Sequence, residues 1–580
     1  MELNLKKHHD DLLFLPLGGA NEIGMNLNLY HLNSKWLMID CGVGFAYNIP
    51  GVNMMTPDIS FIKQHRNNLL GIVLTHIHED HMGAVQYLWE ELRVPVYATQ
   101  FGANFLRSKL SEYRLDKTVP IHIIDGNRPL NLGPFSLDFI GLTHSVPEMK
   151  AVLIKTTHGN VLHTGDWKFD PDPIVGEVSE IEKIKKLGDE NQILAMICDS
   201  TNAINEGHSR SEGELYNSLK SLIAGRNGLV GVATFASNIA RVHTIARIAK
   251  ELGRKVVLAG YSLQRLHDVG KKSGFFLEDF GFISDREIKH YSKNEILVIC
   301  TGCQGEEMAA VRKIAMGNHN FINFSKNDLM IFSSKIIPGN EKKIFELFDL
   351  LAKKQIDVMT EKDHFVHVSG HPSRDELRQM YHLARPQISI PVHGEFIHTK
   401  AHCELARECN VSRIVQAENG MAIRLSANLS ATENVGKVKS GYFGIDGSQL
   451  IDLKSEIIRE RKKLQEAGII FVSIAINDSL KILTRPSIIA VGSYDLYHDQ
   501  ESEDYVREEI DLFFKNRARE LDLNDGFGLS FLKKKKKRLK TQESKLIKDI
   551  EHQLRSRLIK IFEDLMGKRP ALEVVIAMIS

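Results

Sequence analysis

The sequence has 580 residues, of which 43% are apolar and 25% charged, with a formal net charge of +1. At roughly 150 residues per domain, this length predicts about three to four domains. The composition excludes a chain that is disordered throughout. Because the charge is balanced, any contact with nucleic acid must come from a local basic patch.

Cysteine content and hydropathy indicate the compartment. Six cysteines are too few for a disulfide scaffold, and we expect the C-x-x-C pair Cys300 and Cys303 to be ordinary buried cysteines. No segment has the apolar core of a signal peptide, and no run of about 18 apolar residues predicts a transmembrane helix. We therefore expect a cytoplasmic protein with no membrane partner.

The first 210 residues contain short apolar runs separated by glycine and polar turns, a pattern typical of strands. The predicted strands are 12–17, 27–32, 35–40, 69–76, 94–99, 135–144, 151–157, 159–166 and 193–199. Residues with reactive side chains lie at or near the ends of several runs, namely Asp40, His76, His144, Asp166 and Asp199. Sheets commonly present active-site groups on such loops.

From about residue 211 the apolar runs alternate with amphipathic helical stretches, which predicts a βαβ-type parallel sheet. The predicted strands here are 228–235, 255–260, 295–302 and 328–334. The runs 364–370 and 387–394 return to a strand-and-loop pattern with histidines at their ends. We therefore expect the chain to rejoin the first domain, so that the parallel sheet is an insertion.

The C-terminal part of the chain changes character again. Residues 430–460 are mixed in composition and contain glycine, which predicts a linker. A strand-like run at 469–476, helical patterns at 503–520 and 543–566 and a final apolar run predict a small α+β domain. The lysine-rich run 533–540 is expected either as a solvated surface or as a contact with RNA phosphate.

The strongest local signal is THIHEDHMGA, which contains His76, His78, Asp80 and His81. Imidazole and carboxylate ligands suit both Zn²⁺ and Mn²⁺, so the identity of the ion stays open. Because these side chains cannot all coordinate one tetrahedral ion, we expect a turn after a strand to divide them. His76 and His78 then bind one ion, while Asp80 and His81 bind another.

Two ions need further ligands, and three residues near strand-like runs are candidates. These are His144, His393 and Asp166, whose carboxylate is the candidate bridge between the ions. Two ions about 3.5–4 Å apart suit the hydrolysis of a phosphodiester. Asp40 is a candidate acceptor for the second N–H of a ligating histidine.

Ten blocks of sequence resemble the metallo-β-lactamase fold and, within it, the β-CASP ribonucleases, specifically the bacterial ribonuclease J family. The blocks are GGANEIGMN (18–26), THIHEDHMGA (75–84), GLTHSVPE (141–148), HTGDWKFDPDP (163–173), CDSTNA (198–203), TFASNIARV (234–242), CTGCQGEEMAA (300–310), SSKIIPGNE (333–341), HVSGHPS (367–373) and PVHGE (391–395). The resemblance covers about residues 10–430 closely and the rest of the chain loosely.

The resemblance implies an α/β fold, in which a metallo-β-lactamase αββα sandwich is interrupted by a β-CASP α/β domain. The implied boundaries are 1–210 and 362–429 for the sandwich, 211–361 for the β-CASP domain, 430–460 for the linker and 461–580 for a small α+β C-terminal domain.

The resemblance also implies roles for individual residues. It assigns one metal to His76, His78 and His144, the other to Asp80, His81 and His393, and a bridging position to Asp166. It implies that Asp80, Asp199 and His371 are catalytic, and Asp199 and His371 match an acid–histidine pair. The implied RNA-binding and phosphate-binding residues are Ser237, Asn238, His367, Ser369, Gly370 and His371.

The implied activity is hydrolysis of single-stranded RNA by two-metal hydroxide attack, with Zn²⁺ or Mn²⁺ as the ion. The enzyme is expected to be a 5′-to-3′ exonuclease that favours 5′-monophosphate ends, with endonuclease capability, in RNA maturation and decay. We expect a homodimer or homotetramer. The alternatives are a β-CASP nuclease acting on DNA, a hydrolase of small thioesters or lactones, and an inactive RNA-binding or assembly subunit.

Overall fold

A computed structural model gives the arrangement of the chain and describes residues 2–126, 128–276, 280–337, 339–495, 499–521 and 539–579. Two compact units are present. The first comprises residues 1–45 and 54–450, and the second comprises residues 46–53 and 451–580. Among the described residues, no helix combines the length and apolar character needed to cross a membrane.

The first 200 residues are dominated by strands. The strands are β1 (Leu13–Gly18), β2 (Leu27–Leu32), β3 (Lys35–Ile39), β4 (Gly44–Ile49), β5 (Val52–Pro57), β6 (Leu69–Val73), β7 (Val96–Ala98), β8 (Ile121–Ile123), β9 (Leu130–Leu132), β10 (Phe135–Gly141), β11 (Lys150–Thr156), β12 (Gly159–His163) and β13 (Ile193–Asp199). The helices are α1 (Ser60–Gln64), α2 (Glu79–Met82), α3 (Val85–Leu92), α4 (Gln100–Glu112) and α5 (Ile181–Asp189).

Helices and strands alternate in the next segment. The elements are α6 (Glu212–Ile223), β14 (Val230–Ala233), α7 (Ile239–Glu251), β15 (Lys255–Ala259), α8 (Tyr261–Lys272), β16 (Phe282–Ile283), β17 (Ile296–Cys300), α9 (Ala310–Met316), β18 (Leu329–Phe332), α10 (Glu341–Lys353) and β19 (Asp357–Met359). Short 3-10 helices occur at Arg66–Asn68, Asp285–His290, Lys293–Glu295 and Leu429–Ala431.

The remaining elements complete both units. They are α11 (Arg374–Ala384), β20 (Ile388–Val392), α12 (Phe396–Glu408), β21 (Arg413–Ile414), β22 (Met421–Arg424), β23 (Glu433–Lys437), β24 (Tyr442–Asp446), β25 (Gln449–Asp452), α13 (Glu456–Ala467), β26 (Ile469–Ile476), β27 (Ser487–Val491), α14 (Gln500–Glu520), α15 (Leu539–Met566) and β28 (Ala571–Met578).

Two sheets of the first unit pack face to face. Their strand orders are β23-β22-β1-β2-β3-β6-β7-β8 and β21-β20-β13-β12-β11-β10-β9. Phe14 and Tyr30 from one sheet share a buried apolar cluster with Leu137 and Val152 from the other. Helices α3 and α4 cover the outer face of the first sheet, and α5, α11 and α12 cover that of the second. This four-layer arrangement confirms the predicted αββα sandwich.

The chain leaves the sandwich after β13 and builds a third sheet before it returns at α11. This sheet has the order β16-β15-β17-β14-β18-β19, and each of its strand pairs is parallel. Helices α6, α7 and α8 bury apolar side chains on one face, and α9 and α10 do so on the other. The inserted α/β part of the predicted fold is therefore confirmed, whereas its boundaries at 211 and 361 stay predictions.

The second unit contains a three-stranded sheet of order β27-β26-β28. Strand β26 alternates buried and exposed residues, which leaves one face apolar. Helices α14 and α15 pack on that face through Val506, Phe514, Leu554 and Phe562. The side chains of the lysine-rich run 533–540, for which RNA contact was one expectation, lie outside the described residues.

Two segments differ from the sequence-based expectation. Residues 364–370 form no strand, because the Val366 carbonyl accepts hydrogen bonds from side chains, including Ser333 Oγ at 2.6 Å, rather than from a ladder. Residues 430–460, predicted as a linker, contain strands β23, β24 and β25, and the boundaries of the linker stay predictions. In the first unit, β24 pairs in an antiparallel manner with β5, a partner almost 400 positions away that local pattern does not reveal.

Candidate metal centre and active site

The carboxyl ends of parallel strands bring distant residues together. Asp40 follows β3 and His76 lies beyond β6, its parallel neighbour. In the second sheet, Asp166 lies beyond β12, Asp199 ends β13 and His393 follows β20, and these three strands are parallel neighbours. Such ends are the usual location of sites in sheets of this kind. The site therefore forms where the two sheets present these loops.

Two glycines permit the close approach of the loops. A Cβ atom on Gly42 would lie 1.8 Å from the backbone oxygen of Asp80. A Cβ atom on Gly370 would lie 2.7 Å from Cε1 of His144. Any other residue at either position would displace a candidate ligand or the backbone that carries it.

Side chains that share Asp166 form three overlapping groups, and in each group the ligand atoms lie within 4.8 Å of one another. One of them joins Asp166 and His393 to Asp199 and His371, and the other two consist of predicted ligands. We call these two the first and second metal groups. The first contains His76, His78, His144 and Asp166, and the second contains Asp80, His81, His393 and Asp166. The structure thus brings together all seven residues that the sequence analysis proposed as ligands.

Distances to the shared carboxylate support its central position. Asp166 Oδ2 lies 3.1 Å from His81 Nε2 and 3.8 Å from His76 Nε2. Asp166 Oδ1 lies 3.6 Å from His393 Nε2, which in turn lies 3.0 Å from Asp80 Oδ2. The carboxylate therefore faces histidines of both groups.

Buried polar atoms without partners show that these residues fit metal ions. Nε2 of His76 and both carboxylate oxygens of Asp166 are buried and make no hydrogen bond. Leaving such atoms unpaired costs about 1–3 kcal/mol or more each, so native structures rarely retain them without a ligand. A divalent cation satisfies all three atoms, and the imidazole and carboxylate donors suit zinc or manganese.

Hydrogen bonds orient the histidines of the first metal group. Nδ1 of His76 lies 3.0 Å from Thr75 Oγ1, and Nδ1 of His144 donates to the Gly370 carbonyl at 2.6 Å. Each ring is thereby held with Nε2 towards Asp166. His78 instead places Nδ1 3.0 Å from His144 Nε2. Partners of this kind commonly fix the orientation and tautomer of ligating histidines.

The pKa values fall into two classes. Burial, reinforced by neighbouring histidines, lowers the pKa of His76 and His144 well below the ordinary value and favours the neutral imidazole that binds metals. Burial also lowers the pKa of His81, but the carboxylates of Asp166, Asp40 and Asp80 outweigh it and raise the pKa well above the ordinary value. Three carboxylates thus surround the His81 ring, and carboxylates clustered in this way also attract a metal cation.

Asp199 and His371 form a pair beside both groups. His371 Nδ1 donates to Asp199 Oδ2 at 2.8 Å and lies 3.8 Å from Asp166 Oδ2. Burial lowers the pKa of His371, but Asp199 and Asp166 outweigh it and raise the pKa. Within the described chain, Nε2 of His371 makes no hydrogen bond, and the side chain is 21% exposed. This nitrogen is available to a substrate.

Some of the predicted phosphate-binding residues already use their side chains in hydrogen bonds within the protein. Asn238 Oδ1 accepts from the Arg241 backbone N–H at 2.9 Å and so caps α7. Ser369 Oγ accepts from Asn202 Nδ2 and from the His371 backbone N–H.

Two of these residues retain unused hydrogen-bonding groups. His367 Nδ1 is buried without a partner. The Ser237 side chain is half-buried and, within the described residues, makes no hydrogen bond. The helix end at 237–238 and the loop at 367–371 thus present free polar groups alongside groups that already hold the structure.

Sequence reasoning missed three side chains that contact the site or its supports. Thr201 Oγ1 lies 2.8 Å from His393 Nδ1, and Asn26 Nδ2 lies 3.0 Å from His81 Nε2. Arg241, which lies in the block TFASNIARV, is fully buried and pairs with Glu212. Thr201 and Asn26 lie in the quoted blocks CDSTNA and GGANEIGMN, but neither residue type has a diagnostic spacing.

Comparison with known proteins identifies the class. Residues 26–181 match the metallo-beta-lactamase superfamily, residues 227–351 match the family described as ribonuclease J, beta-CASP domain, and residues 355–418 match a Zn-dependent metallo-hydrolase RNA specificity domain. Together with the sandwich, the inserted sheet and the clustered ligands, these matches define a metallo-β-lactamase-fold hydrolase with a β-CASP insertion.

Relatives identify the family. The chain is 40% identical to ribonuclease J of Sinorhizobium meliloti over 84% of this chain and 88% of that protein. It is 33% identical to ribonuclease J2 of Bacillus subtilis over 84% and 88% of the respective chains. The chain belongs to the ribonuclease J family, and it is a metal-dependent hydrolase that acts on RNA.

A solved structure shows the fold independently. The crystal structure of a protein of unknown function from Enterococcus faecalis V583 superimposes with a TM-score of 0.51 at 17% identity. The superposition covers 72% of this chain and the whole of the Enterococcus faecalis chain. At this identity the likeness concerns the fold alone.

Proposed function

We propose that this ribonuclease degrades single-stranded RNA in the 5′-to-3′ direction, favours 5′-monophosphate ends and also cleaves internally, in RNA maturation and decay. The observation that carries the proposal is the Asp199–His371 pair, joined at 2.8 Å, beside two ligand groups that share Asp166. An acid–histidine pair next to paired ions suits hydrolysis of a phosphodiester. The complete ligand set argues against an inactive RNA-binding subunit.

The proposed cofactors are two divalent ions, with Zn²⁺ as the resident metal and Mn²⁺ as an alternative activating ion. The first metal group would hold one ion and the second metal group the other, with Asp166 common to both groups. When bound, such ions supply an activated water and neutralise charge on the scissile phosphate. Asp80 contributes to this chemistry as a ligand whose Oδ2 lies 3.0 Å from His393 Nε2.

His371 is the proposed general acid. Its Nδ1–H is held by Asp199, so the ring is fixed and Nε2 is left for the substrate. When a water oxygen bonds to phosphorus and the P–O3′ bond breaks, a proton delivered from Nε2 to the leaving 3′ oxygen would give a 3′-hydroxyl on one product and a 5′-phosphate on the other. Asp199 orients the ring and stabilises its charged form, and it does not itself contact the proton that is transferred.

The proposed contacts for RNA phosphates are the helix end at Ser237 and Asn238 and the loop that carries His367, Ser369 and Gly370. Support comes from the unpartnered Nδ1 of His367 and the uncommitted hydroxyl of Ser237. Helix N-termini favour phosphate. The proposal also includes domain boundaries at residues 210, 361, 429 and 460. It further includes a homodimeric or homotetrameric assembly.

The test uses one RNA sequence with either a 5′-monophosphate or a 5′-triphosphate, labelled in separate samples at the 5′-terminal nucleotide or at the 3′ end. With Mn²⁺ or Zn²⁺, we expect early release of the 5′-terminal nucleotide as a mononucleotide, faster from the monophosphate. The 3′ label should remain in long RNA until late in the reaction. The same experiment reports internal fragments from endonuclease cleavage.

Two variants give the controls. His371→Ala should abolish cleavage, whereas His382→Ala should retain it, because His382 lies exposed on α11 and outside the site. Early release of mononucleotides from the 3′ end would contradict the proposed direction. Internal fragments alone, at equal rates from both RNAs, would reject the 5′-end preference while retaining the ribonuclease.

A further inference from the structure

We infer that Thr201 is a positioning residue that fixes the tautomer of His393 and couples the second metal group to the Asp199–His371 pair. The inference rests on the proposed function, because it assigns Thr201 to the metal and acid machinery described there. It derives from one hydroxyl group that contacts both parts of the site.

The contacts of the hydroxyl are short and well defined. Thr201 Oγ1 lies 2.7 Å from Asp199 Oδ1, 2.8 Å from His393 Nδ1 and 3.1 Å from the His393 carbonyl oxygen. The Thr201 backbone N–H also donates to Asp199 Oδ1, at 2.8 Å. Residue 201 therefore holds one oxygen of the Asp199 carboxylate from two directions.

A count of donors and acceptors decides the direction of each bond. A threonine hydroxyl has one hydrogen to donate and lone pairs with which to accept. The Asp199 carboxylate and the His393 carbonyl can only accept, so the hydroxyl hydrogen is directed at one of these oxygens. Nδ1 of His393 must then donate to Thr201 Oγ1, which means that His393 carries a proton on Nδ1.

With a proton fixed on Nδ1, Nε2 is the nitrogen of His393 that faces the second metal group, where it donates to the Asp80 carboxylate. A bound metal ion would take the place of that hydrogen. His393 Nε2 lies 3.0 Å from Asp80 Oδ2 and 3.6 Å from Asp166 Oδ1, within the second metal group. The backbone of His393 has a φ of +54°, and its N–H donates to the Gly19 carbonyl at 2.6 Å. Backbone and hydroxyl together therefore aim Nε2 at the site of the second ion.

The Thr201 hydroxyl also orients the Asp199–His371 pair. Because Thr201 occupies Asp199 Oδ1, the other oxygen, Oδ2, is oriented towards His371 Nδ1 at 2.8 Å. A change at Thr201 consequently reaches a metal ligand and the general acid at once. Neither effect requires Thr201 to touch the substrate.

The test compares Thr201→Val, which keeps the shape of the side chain but removes the hydroxyl, with Thr201→Ser, which keeps the hydroxyl. Zinc affinity is measured by competition with a chromophoric chelator, alongside kcat, KM and the apparent Tm. In Thr201→Val we expect the second zinc ion to bind about 10- to 100-fold more weakly, the usual effect of losing a hydrogen-bond partner of a ligand. We also expect kcat to fall, KM to stay within about twofold, and Thr201→Ser to restore both zinc affinity and kcat.

Thr157→Val is the matched control. Thr157 Oγ1 also lies against a histidine Nδ1, that of His158 at 3.1 Å, but both residues are exposed and outside the metal groups. This variant should bind two zinc ions with unchanged affinity. Wild-type zinc affinity in Thr201→Val would overturn the inference, and so would loss of both ions with a low Tm in both Thr201 variants. Failure of the 5′-end assay in a wild-type enzyme that binds two zinc ions would reject the proposed function alone.

Discussion

Asp40 connects the loops that follow β3 and β6 to His81, a candidate metal ligand. Its carboxylate is fully buried and accepts from the Thr75 backbone N–H at 2.8 Å and from Thr75 Oγ1 at 2.9 Å. Oδ2 also accepts from His81 Nδ1 at 2.7 Å. The residue has a φ of +63°, a strained conformation that the surrounding contacts maintain. Asp40 thus fixes the His81 ring with Nε2 directed at Asp166, within the second metal group.

Replacement of Asp40 by asparagine tests this role. Asp40→Asn removes the charge and presents an amide that cannot accept from all three donors, so we expect zinc affinity at the second metal group to fall by about 10- to 100-fold. Chelator competition measures the change. Asp58→Asn, at a buried carboxylate that accepts from Ser60 in the same unit, should leave zinc binding intact. Equal zinc affinity in the wild type and Asp40→Asn would refute the role.

Local spacing explains which site residues the sequence revealed. His76, His78, Asp80 and His81 lie within one turn, so their pattern is visible without a fold. Asp40 could be predicted because it ends a strand-like run. Thr201 and Asn26 were not, because a hydroxyl or amide that orients a ligand can come from many loops and leaves no periodic trace.

At the scale of elements, a buried ion pair connects helices of the inserted domain. Arg241 of α7 makes two hydrogen bonds to Glu212 of α6, at 2.6 and 3.0 Å, and also donates to Ser333 Oγ just after β18 at 2.6 Å. Ser333 in turn donates to the carbonyl of Val366, on the segment that leads back to the sandwich. The network therefore joins the insertion to the segment that carries His371.

Breaking one side of this pair should be costly. Glu212→Gln leaves the buried guanidinium without its counter-charge, and we expect a loss of about 3–5 kcal/mol of stability. The double variant Glu212→Leu with Arg241→Met should recover much of that loss, because no unpaired charge remains. Thermal unfolding of the three proteins measures the difference. A double variant less stable than Glu212→Gln would contradict this account.

Strand β2 carries a buried histidine that predicts a pH effect. His31 packs against Trp36 with ring centroids 4.7 Å apart, and its Nδ1 lies 3.2 Å from the Asp11 carbonyl oxygen. Burial lowers the pKa of His31 to about 4, whereas an unfolded histidine has a pKa near about 6.5. Between these values the unfolded chain binds more protons, so the stability contributed by neutral His31 is lost as the pH falls.

The variant His31→Gln isolates this contribution. Above pH 6.5 the wild type should have the higher apparent Tm, and the difference should shrink as the pH is lowered towards 4. Scanning calorimetry of both proteins over this range gives the comparison. A difference in Tm that stays constant or widens towards low pH would show that His31 does not titrate as described.

Across the whole chain, the hydropathy pattern predicted the layers of the fold more accurately than the edge strands of the sheets. Central strands such as β6, β13 and β17 are continuous apolar runs, and the change to alternating helices and strands marked the insertion. The short edge strands β8 and β21 contain no fully buried residue, so hydropathy does not distinguish them from loops. Their pairing depends on neighbours supplied by the finished sheet.

The net charge makes a prediction about RNA affinity. Because the chain carries a formal charge of only +1, RNA attraction should come from local phosphate contacts rather than from the whole surface. With the inactive His371→Ala variant, log affinity for single-stranded RNA should fall linearly with log salt, by about 0.7 per phosphate contact. Fluorescence anisotropy at several salt concentrations measures the slope. An affinity independent of salt would reject a phosphate-based site.

The most direct test of the account counts metal ions in relation to cleavage. Elemental analysis of the wild type, His144→Ala and His393→Ala should give two, one and one zinc ions per chain, with RNA cleavage lost in both variants. These residues belong to different metal groups, so each change should empty one position and leave the other occupied. A wild-type enzyme that cleaves RNA at full rate with one ion, or variants that both lose all zinc while remaining folded, would contradict two adjoining metal sites that share Asp166.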